Sequence, residues 1–470
     1  MALAVVPSMV QAVTSHNWVG SAQLYNLLKP QYDSKLYKAL GDQNMTGLMN
    51  ELGGWNPVSG IEYMHSEEDW LHEVVQCDAD AGGAANAAVV LTVAAGYRYT
   101  YPSGAMSPYL VAGAVTANPT RLQDTVRFPN GVEAQVTAVS GNTFTVTPVV
   151  LGQSIPAVLT TDTLIITGNA HQEGTGQPLS QARRVNRYVN NMQIMKESNK
   201  STGTALGEEI WVEVEGLNGQ MGYLYYYKGQ HDAYVACRNL REVSLITGQK
   251  ITNTVLATAQ PTLTKTEGLI PFVQNYGNTT NYNSVTGITK ADWQTMTTDQ
   301  LDKYRGAKAN AVYSGINLRT GIDDFITIEM KNGSFEYGTF GANQAVNFSF
   351  DSFKIQGYTY NLKTYDVFNY KNMLGAAGQE YVDSAVVIPM DKSVHSFGPD
   401  NKKESVPSIR MNYVSQAKAG GSYSRDWEEW PTGGANGVYT NDEDSLQINW
   451  RSHYGFEGFA PGRFVWVTPA

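Results

Sequence analysis

Imidazoles and carboxylates gather at His65, Glu67, Glu68, Asp69, His72 and Glu73, inside residues 61–76 (IEYMHSEEDWLHEVVQ). These are the groups a metal or acid–base centre would use. No HExxH spacing accompanies them, however, and an acidic cluster along a solvated strand or hairpin has the same look. Trp70, Leu71, Val74 and Val75 would anchor such a segment. A second candidate is Arg425-Asp426-Trp427-Glu428-Glu429-Trp430, which sets carboxylates beside tryptophans as sugar clefts do. A packed aromatic loop would read identically. Gly174-Thr175-Gly176 could approach an anion, but no strand-to-helix context follows it, so a turn explains it better. Asp442-Glu443-Asp444 reads as a solvated turn rather than a cation site. The chain has no GxSxG, no Walker loop, no GxGxxG and no zinc-spaced Cys/His set. Cys77 and Cys237, far apart in sequence, read as buried free thiols. The expectation is a protein that is not an enzyme, with no catalytic residue, no cofactor and no metal site.

The elements around these groups are therefore the more informative part. Charged residues make up 16% of the 470, below the roughly 25% of ordinary soluble domains. Glycine, tyrosine, asparagine and threonine fill the difference, which suits β-rich structure and broad contact surfaces rather than disorder. A net charge of −10 gives no basic face for nucleic-acid recognition. Residues 1–13 lack the basic start of a signal peptide, and no apolar run approaches the roughly 20 residues that span a bilayer. The expected setting is a reducing cytoplasm, or a particle assembled there.

In chain order, residues 1–59 read as an arm, with short amphipathic helices at 21–28 and 34–40. Residues 60–77 and 171–203 read as the extended legs of one long hairpin loop. Between them, residues 78–170 form an all-β module, with β-branched runs at 89–93, 109–115, 125–128, 132–139, 143–147 and 163–167. Pro129-Asn130-Gly131 and Ser140-Gly141-Asn142 are its turn signals. Residues 204–250 read as a spine helix. Its first stripe is Ile210, Val214, Leu217, Met221 and Leu224, and its second is Ala233, Ala236, Leu240 and Val243, with Ile246 beside it. Thr204 would cap this helix and Gly248 would end it, with a short connector near Gly229 as an alternative. Residues 251–470 read as mixed peripheral and axial domains. They open on a Thr-rich link (251–271) and a helical region (289–310), with Thr297 or Thr298 capping its second part. Strands follow at 325–330, 334–337, 346–355 and 385–390, then a loop-rich tail (417–436) and closing strands at 446–453 and 463–467.

This order of parts resembles the major capsid protein of tailed bacteriophages, the Hong Kong 97-type fold. Residues 124–139 with the RFPNG turn, 162–178 (DTLIITGNAHQEGTGQP), 190–207 (NNMQIMKESNKSTGTALG) and 450–467 (WRSHYGFEGFAPGRFVWV) are similar to phage capsid proteins with an elaborated hairpin loop, and among them resemble the crAss-like branch. The resemblance implies an α+β fold that self-assembles into pentamers and hexamers of an icosahedral shell around double-stranded DNA. It also implies a portal and scaffolding or auxiliary capsid proteins as partners, proximity to packaged DNA, no membrane, and residence in the virion. No N-terminal scaffolding extension like that of the type member is expected, so scaffolding help, if needed, would come from a separate protein. A β-rich phage tail or surface adhesin that binds glycans is the alternative of a different class.

Overall fold

The run Ala385–Pro389 (AVVIP) is buried at every position, as a strand covered on both faces must be. In the computed structural model it sits in the middle of a six-stranded mixed sheet. The order is Asn278–Tyr282, Val465–Pro469, Ala385–Pro389, Ala309–Ser314, Tyr358–Thr364, Ser352–Ile355. The structure describes residues 54–68, 74–94, 118–160, 162–178, 185–215, 221–260, 262–302, 306–332, 351–370, 381–391, 394–397, 403–418, 421–435 and 437–470. Alternate residues of the central strands supply two cores. Ala311, Tyr313, Val386, Ile388 and Trp466 join Phe272 and Val273 of the helix Leu269–Tyr276 on one face. Val312, Val387, Val465 and Val467 join Trp293, Leu318 and Ile322 on the other.

A second sheet runs Gly54–Val58, Ile409–Lys418, Ser445–Gly458, Gln193–Thr202. Its first pair is parallel and the next antiparallel. Glycines inside Ser445–Gly458 allow close approach rather than ending the strand. A Cβ at Gly455 would lie 2.6 Å from the Tyr63 hydroxyl, and one at Gly458 2.5 Å from the Phe272 ring.

The strand Glu62–Glu68 pairs antiparallel with Val185–Asn191, Glu62 opposite Asn191 and Glu68 opposite Val185. Beyond this ribbon the chain builds a sheet in the order Val74–Gln76, Thr163–Asn169, Asp124–Arg127, Glu133–Ser140, Thr143–Pro148, Val89–Thr92. Its two edges meet. Cys77 bridges Val93, the Asp78 amide donates to the Thr92 carbonyl, and the Ala94 amide donates to the Gln76 carbonyl, each bond 2.9 Å. The result is a six-stranded barrel without a free edge. Val75, Cys77, Leu91, Val126, Val136, Phe144 and Leu164 fill it. Val74–Gln76 and Cys77 thus belong to the barrel, not to the hairpin leg where the sequence reading placed residues 60–77.

The chain divides into two compact units, and the described residues of the smaller fall within Asn199–Tyr234 and Pro431–Ile448. Within the smaller unit Lys200 pairs with Glu443, and the Gly203 amide donates to the Asp444 carbonyl.

Several expectations are corrected. The spine helix expected over 204–250 is shorter: among the described residues its long helix is Tyr225–Thr247. Gly203–Leu206 forms a short helix capped by Thr202 rather than Thr204, and Glu209–Glu215 then pairs with Met221–Leu224 as a β-hairpin. Ile210, Val212 and Val214 recur at every second position, and that period of two overrides the i, i+4 spacing read across it. Leu217 lies outside the described residues, as does the side chain of Met221. In the helix itself Cys237, Leu245 and Ile246 are buried, whereas Leu240 is 50% exposed, so the second stripe is turned from its expected face. Residues 325–330 belong to the helix Ile316–Asn332, because Leu318, Ile322 and Phe325 share a buried helical face. Thr297 caps nothing. The helix Lys290–Thr295 starts at Thr289 and continues as a π-helical stretch, Met296–Asp302, in which Thr297 is buried against Trp293 and Tyr360. The link 251–271 contains the helix Thr254–Ala259. The tail 417–436 contains the strands Gly421–Ser424 and Glu428–Gly433. The expected helices at 21–28 and 34–40 and the strands at 109–115 and 334–337 lie outside the described residues.

Candidate functional site

Tyr63, His65 and Glu67 alternate along Glu62–Glu68, so all three face the sheet beneath the ribbon. His65 Nδ1 lies 2.9 Å from Glu457 Oε1, and its Nε2 lies 3.2 Å from Glu67 Oε1. Glu67 also accepts the Ala460 amide at 2.8 Å. Glu457 Oε2 accepts from Arg410 Nε and Asn412 Nδ2, each at 2.7 Å, and Asn56 donates to Asn412. The imidazole stacks on Tyr188 at 5.3 Å and meets Phe459 at 4.6 Å. Tyr63 donates to the Phe456 carbonyl. Asn190 donates to the Glu267 and Phe456 carbonyls at 2.9 and 2.8 Å. The ribbon is thereby fixed at its root to both long strands of the second sheet.

Burial pulls the His65 pKa down, but the hydrogen bonds to Glu457 and Glu67 outweigh it and hold the ring at about 9. Burial would raise Glu457, yet hydrogen bonds from His65, Arg410 and Asn412 and the Arg410 charge bring it to about 2. With His65 protonated, two cations (His65, Arg410) face two carboxylates (Glu67, Glu457), and the cluster is neutral. Beside it, Tyr63, His65, Asn190, Glu267 and Glu457 border a pocket of about 20 Å³, the room of a single water. Burial raises the Glu267 carboxyl, against a hydrogen bond from Asn275.

Of the sequence candidates, His65 and Glu67 come together here, while Asp69, His72 and Glu73 lie outside the described residues. Among the described residues no group of three or more His, Cys, Asp or Glu is arranged to hold a metal ion. The 425–430 carboxylates are all engaged. Asp426 takes Arg241 at 3.2 Å, Glu428 takes Arg451 at 2.6 Å, and Glu429 accepts the Trp450 indole at 3.0 Å. Cys77 and Cys237 are free and buried, with thiols pushed up to about 12 and 11 by burial. Glu457, Arg410 and Asn412 were invisible to the sequence reading because they lie more than three hundred positions from His65. The signal available was the His65/Glu67 alternation opposite a strand carrying Tyr188, a polar pair on an inward face that needs partners.

No family model and no curated protein matches the chain. Among solved structures it is similar to the capsid of the cyanophage P-SCSP1u, at 9% identity over 97% of each chain with a TM-score of 0.42. The Microbacterium phage Oxtober96 structure is similar at 10% identity, over 96% of this chain and 99% of that one, with a TM-score of 0.39. The capsid of a native GTA particle is similar at 7% identity, over 97% and 99%, with a TM-score of 0.39. Likenesses this loose leave function to the chain's own geometry.

Proposed function

We propose that this chain is the major capsid protein of a tailed bacteriophage, a Hong Kong 97-type subunit that self-assembles into the pentamers and hexamers of an icosahedral shell around double-stranded DNA. The observation that carries the reading is the anchored ribbon. Its inner face is tied down by the His65 cluster, while its outer face shows Met64 at 52% exposure between Glu62 and Arg187. A two-stranded ribbon is marginal on its own, and fixing its angle so firmly serves a contact outside the subunit. The helix Thr254–Ala259 supports the same reading. It has six residues, Val255 is 76% exposed, and so short a helix in water needs a surface to rest on.

Shell formation follows from such contacts by mass action. A contact worth about −4 kcal/mol is only millimolar alone, but several per subunit become effectively intramolecular once a ring closes. Head-to-tail contacts that close by rotation give the rings. A separate scaffolding protein, a portal and assembly in the host cytoplasm complete the proposal. Electron microscopy of concentrated purified protein tests it: rings or shells are expected. A compact monomer at every concentration and salt overturns it, and a trimer with a distal head points to the adhesin reading instead.

A further inference from the structure

Glu267 lies in the turn Thr266-Glu267-Gly268, where two other elements are held against the ribbon. Asn190, on the ribbon strand Val185–Asn191, donates from Nδ2 to the Glu267 carbonyl and accepts the Glu267 amide on Oδ1, each at 2.9 Å. Thr266 Oγ1 accepts the Phe456 amide of the strand Ser445–Gly458 at 3.0 Å. The Gly268 amide donates to the Gly248 carbonyl at 2.7 Å, just beyond the helix Tyr225–Thr247. A Cβ on Gly268 would stand 2.8 Å from the Leu245 carbonyl, so the turn sits close against the helix end. Its backbone is thus held from three directions, and Glu267 itself is only 5% exposed.

The carboxyl has fewer partners than its burial calls for. Among the described residues one hydrogen bond reaches it, from Asn275 Nδ2 to Oε1 at 2.6 Å, and no lysine, arginine or histidine forms an ion pair with it. An ionised carboxylate can accept about four hydrogen bonds. The pocket it borders, about 20 Å³, has room for one water. Titratable groups face that pocket from every element around it. The ribbon contributes Tyr63, His65 and Tyr188, the helix Leu269–Tyr276 contributes Tyr276, and Ser445–Gly458 contributes Glu457. His65 and Glu457 are paired with each other. Lys250, beyond the helix Tyr225–Thr247, donates from Nζ to the Val189 carbonyl at 3.0 Å and acts on Glu267 through its charge. Burial raises the Glu267 pKa more than Asn275 and Lys250 lower it. Its charge also pushes on the buried Tyr63 hydroxyl, whose hydrogen bond to the Phe456 carbonyl holds the first ribbon strand.

We propose that Glu267 is a proton-operated latch on the ribbon: neutral, it leaves the pocket closed and Asn190 seated, and ionised, it draws in water and loosens the root. The single water that fits cannot complete the hydrogen bonds of a carboxylate, so further water must enter between the turn and the ribbon. A raised carboxyl stays neutral in the fold where the unfolded chain has already ionised. Its contribution to stability is therefore whole below about pH 4.5 and is lost as pH rises through the folded value. One proton thus adjusts the stiffness of a projection whose other charged supports, His65 and Arg410 on Glu457, stay ionised throughout that range.

Hydrogen exchange of the full chain with mass-spectrometric readout, corrected for the intrinsic rate at each pH, follows ribbon and barrel separately. From pH 4.5 to 6.5, wild-type protection over Val185–Asn191 should fall as pH rises, while that over the barrel strand Glu133–Ser140 stays level. Glu267→Gln keeps an acceptor for Asn275 and cannot ionise, so its ribbon protection should stay at the acid level throughout. Lys250→Gln keeps a donor for Val189 but removes a cation that eases ionisation, so its fall should move to higher pH. Thermal melting checks that each variant folds, and Lys250→Gln carries the test alone if Glu267→Gln does not. A wild-type pH response in folded Glu267→Gln protein overturns the proposal. So does a barrel that loosens in step with the ribbon, or a Lys250→Gln response at the wild-type pH.

Discussion

Replacing His65 by Gln is the sharpest perturbation of the ribbon's root. Glutamine keeps a hydrogen-bonding amide but no charge, so Glu67 and Glu457 would face Arg410 alone. The magnitude follows from the histidine's titration. A pKa of about 9 in place of the ordinary 6.5 corresponds to about 3 kcal/mol favouring the folded, protonated state. The His65 side chain is only 15% exposed, so solvent screening removes little of this. The depressed Glu457 reports the same contact from its other end and is counted once. Because the folded pKa is raised, this stability is fully present below pH 6.5 and is lost as pH rises through about 9. Tyr188, Phe459 and the partly raised Glu267 are the other groups around the ring and its pocket, and none of them supplies a compensating cation. Denaturant unfolding of wild type and His65→Gln across pH 6 to 10 measures the difference directly, since background titration of lysines and tyrosines cancels between the two. The expected gap is about 3 kcal/mol near pH 6, closing above the folded pKa. A gap that is constant with pH, or absent at pH 6, refutes the charge-based account of the root.

Two further outcomes are expected. Leu245→Ala, at a site 1% exposed, should cost about 2–5 kcal/mol in denaturant unfolding, whereas Leu240→Ala on the same helix should stay within about 0.5 kcal/mol; equal effects would mean the helix face is misassigned. Residues 74–170 expressed alone should melt cooperatively, while a piece beginning at residue 78 loses the Cys77–Val93 closure and should melt lower or not at all; indistinguishable melting would show that closure is dispensable.

What was legible in the sequence was local and periodic. The alternation of 132–139 becomes the strand Glu133–Ser140, and Gly131 and Gly141 take the positive φ values (90° and 57°) that their turns require. The opposition of residues 61–76 to 181–200 appears as the Glu62–Asn191 register because both segments alternate across a buried face. Two periods in conflict defeated the reading elsewhere. Across 204–224 the i, i+4 apolar spacing coexists with a period of two at Ile210, Val212 and Val214, and the backbone follows the second, pairing Glu209–Glu215 with Met221–Leu224. In 316–332 the β-branched ITI stretch hid a helical face carried by Leu318, Ile322 and Phe325. The closing strand expected at 446–453 runs on to Gly458, and Gly455 and Gly458 each make room for an aromatic ring from another segment. Nothing in one dimension announces that ring.

The root of the ribbon illustrates why charges are placed where apolar side chains would stabilise more. A buried ion-pair cluster is a weak source of net stability, because desolvation offsets much of its attraction. Its geometry is strict, however. Glu67 must meet both His65 and the Ala460 amide, and Glu457 must meet His65, Arg410 and Asn412 together. An apolar patch tolerates a ribbon that slides or tilts, whereas here any shift leaves a buried carboxylate short of a partner, at a cost of several kcal/mol. The small apolar set beneath it, Tyr63, Met192 and Val414 with Val58, supplies adhesion, and the charges supply the angle. Meanwhile the barrel at the far end seals its own edges and makes no such demand. A subunit that must aim one projection at a neighbour has reason to separate adhesion from aim in this way.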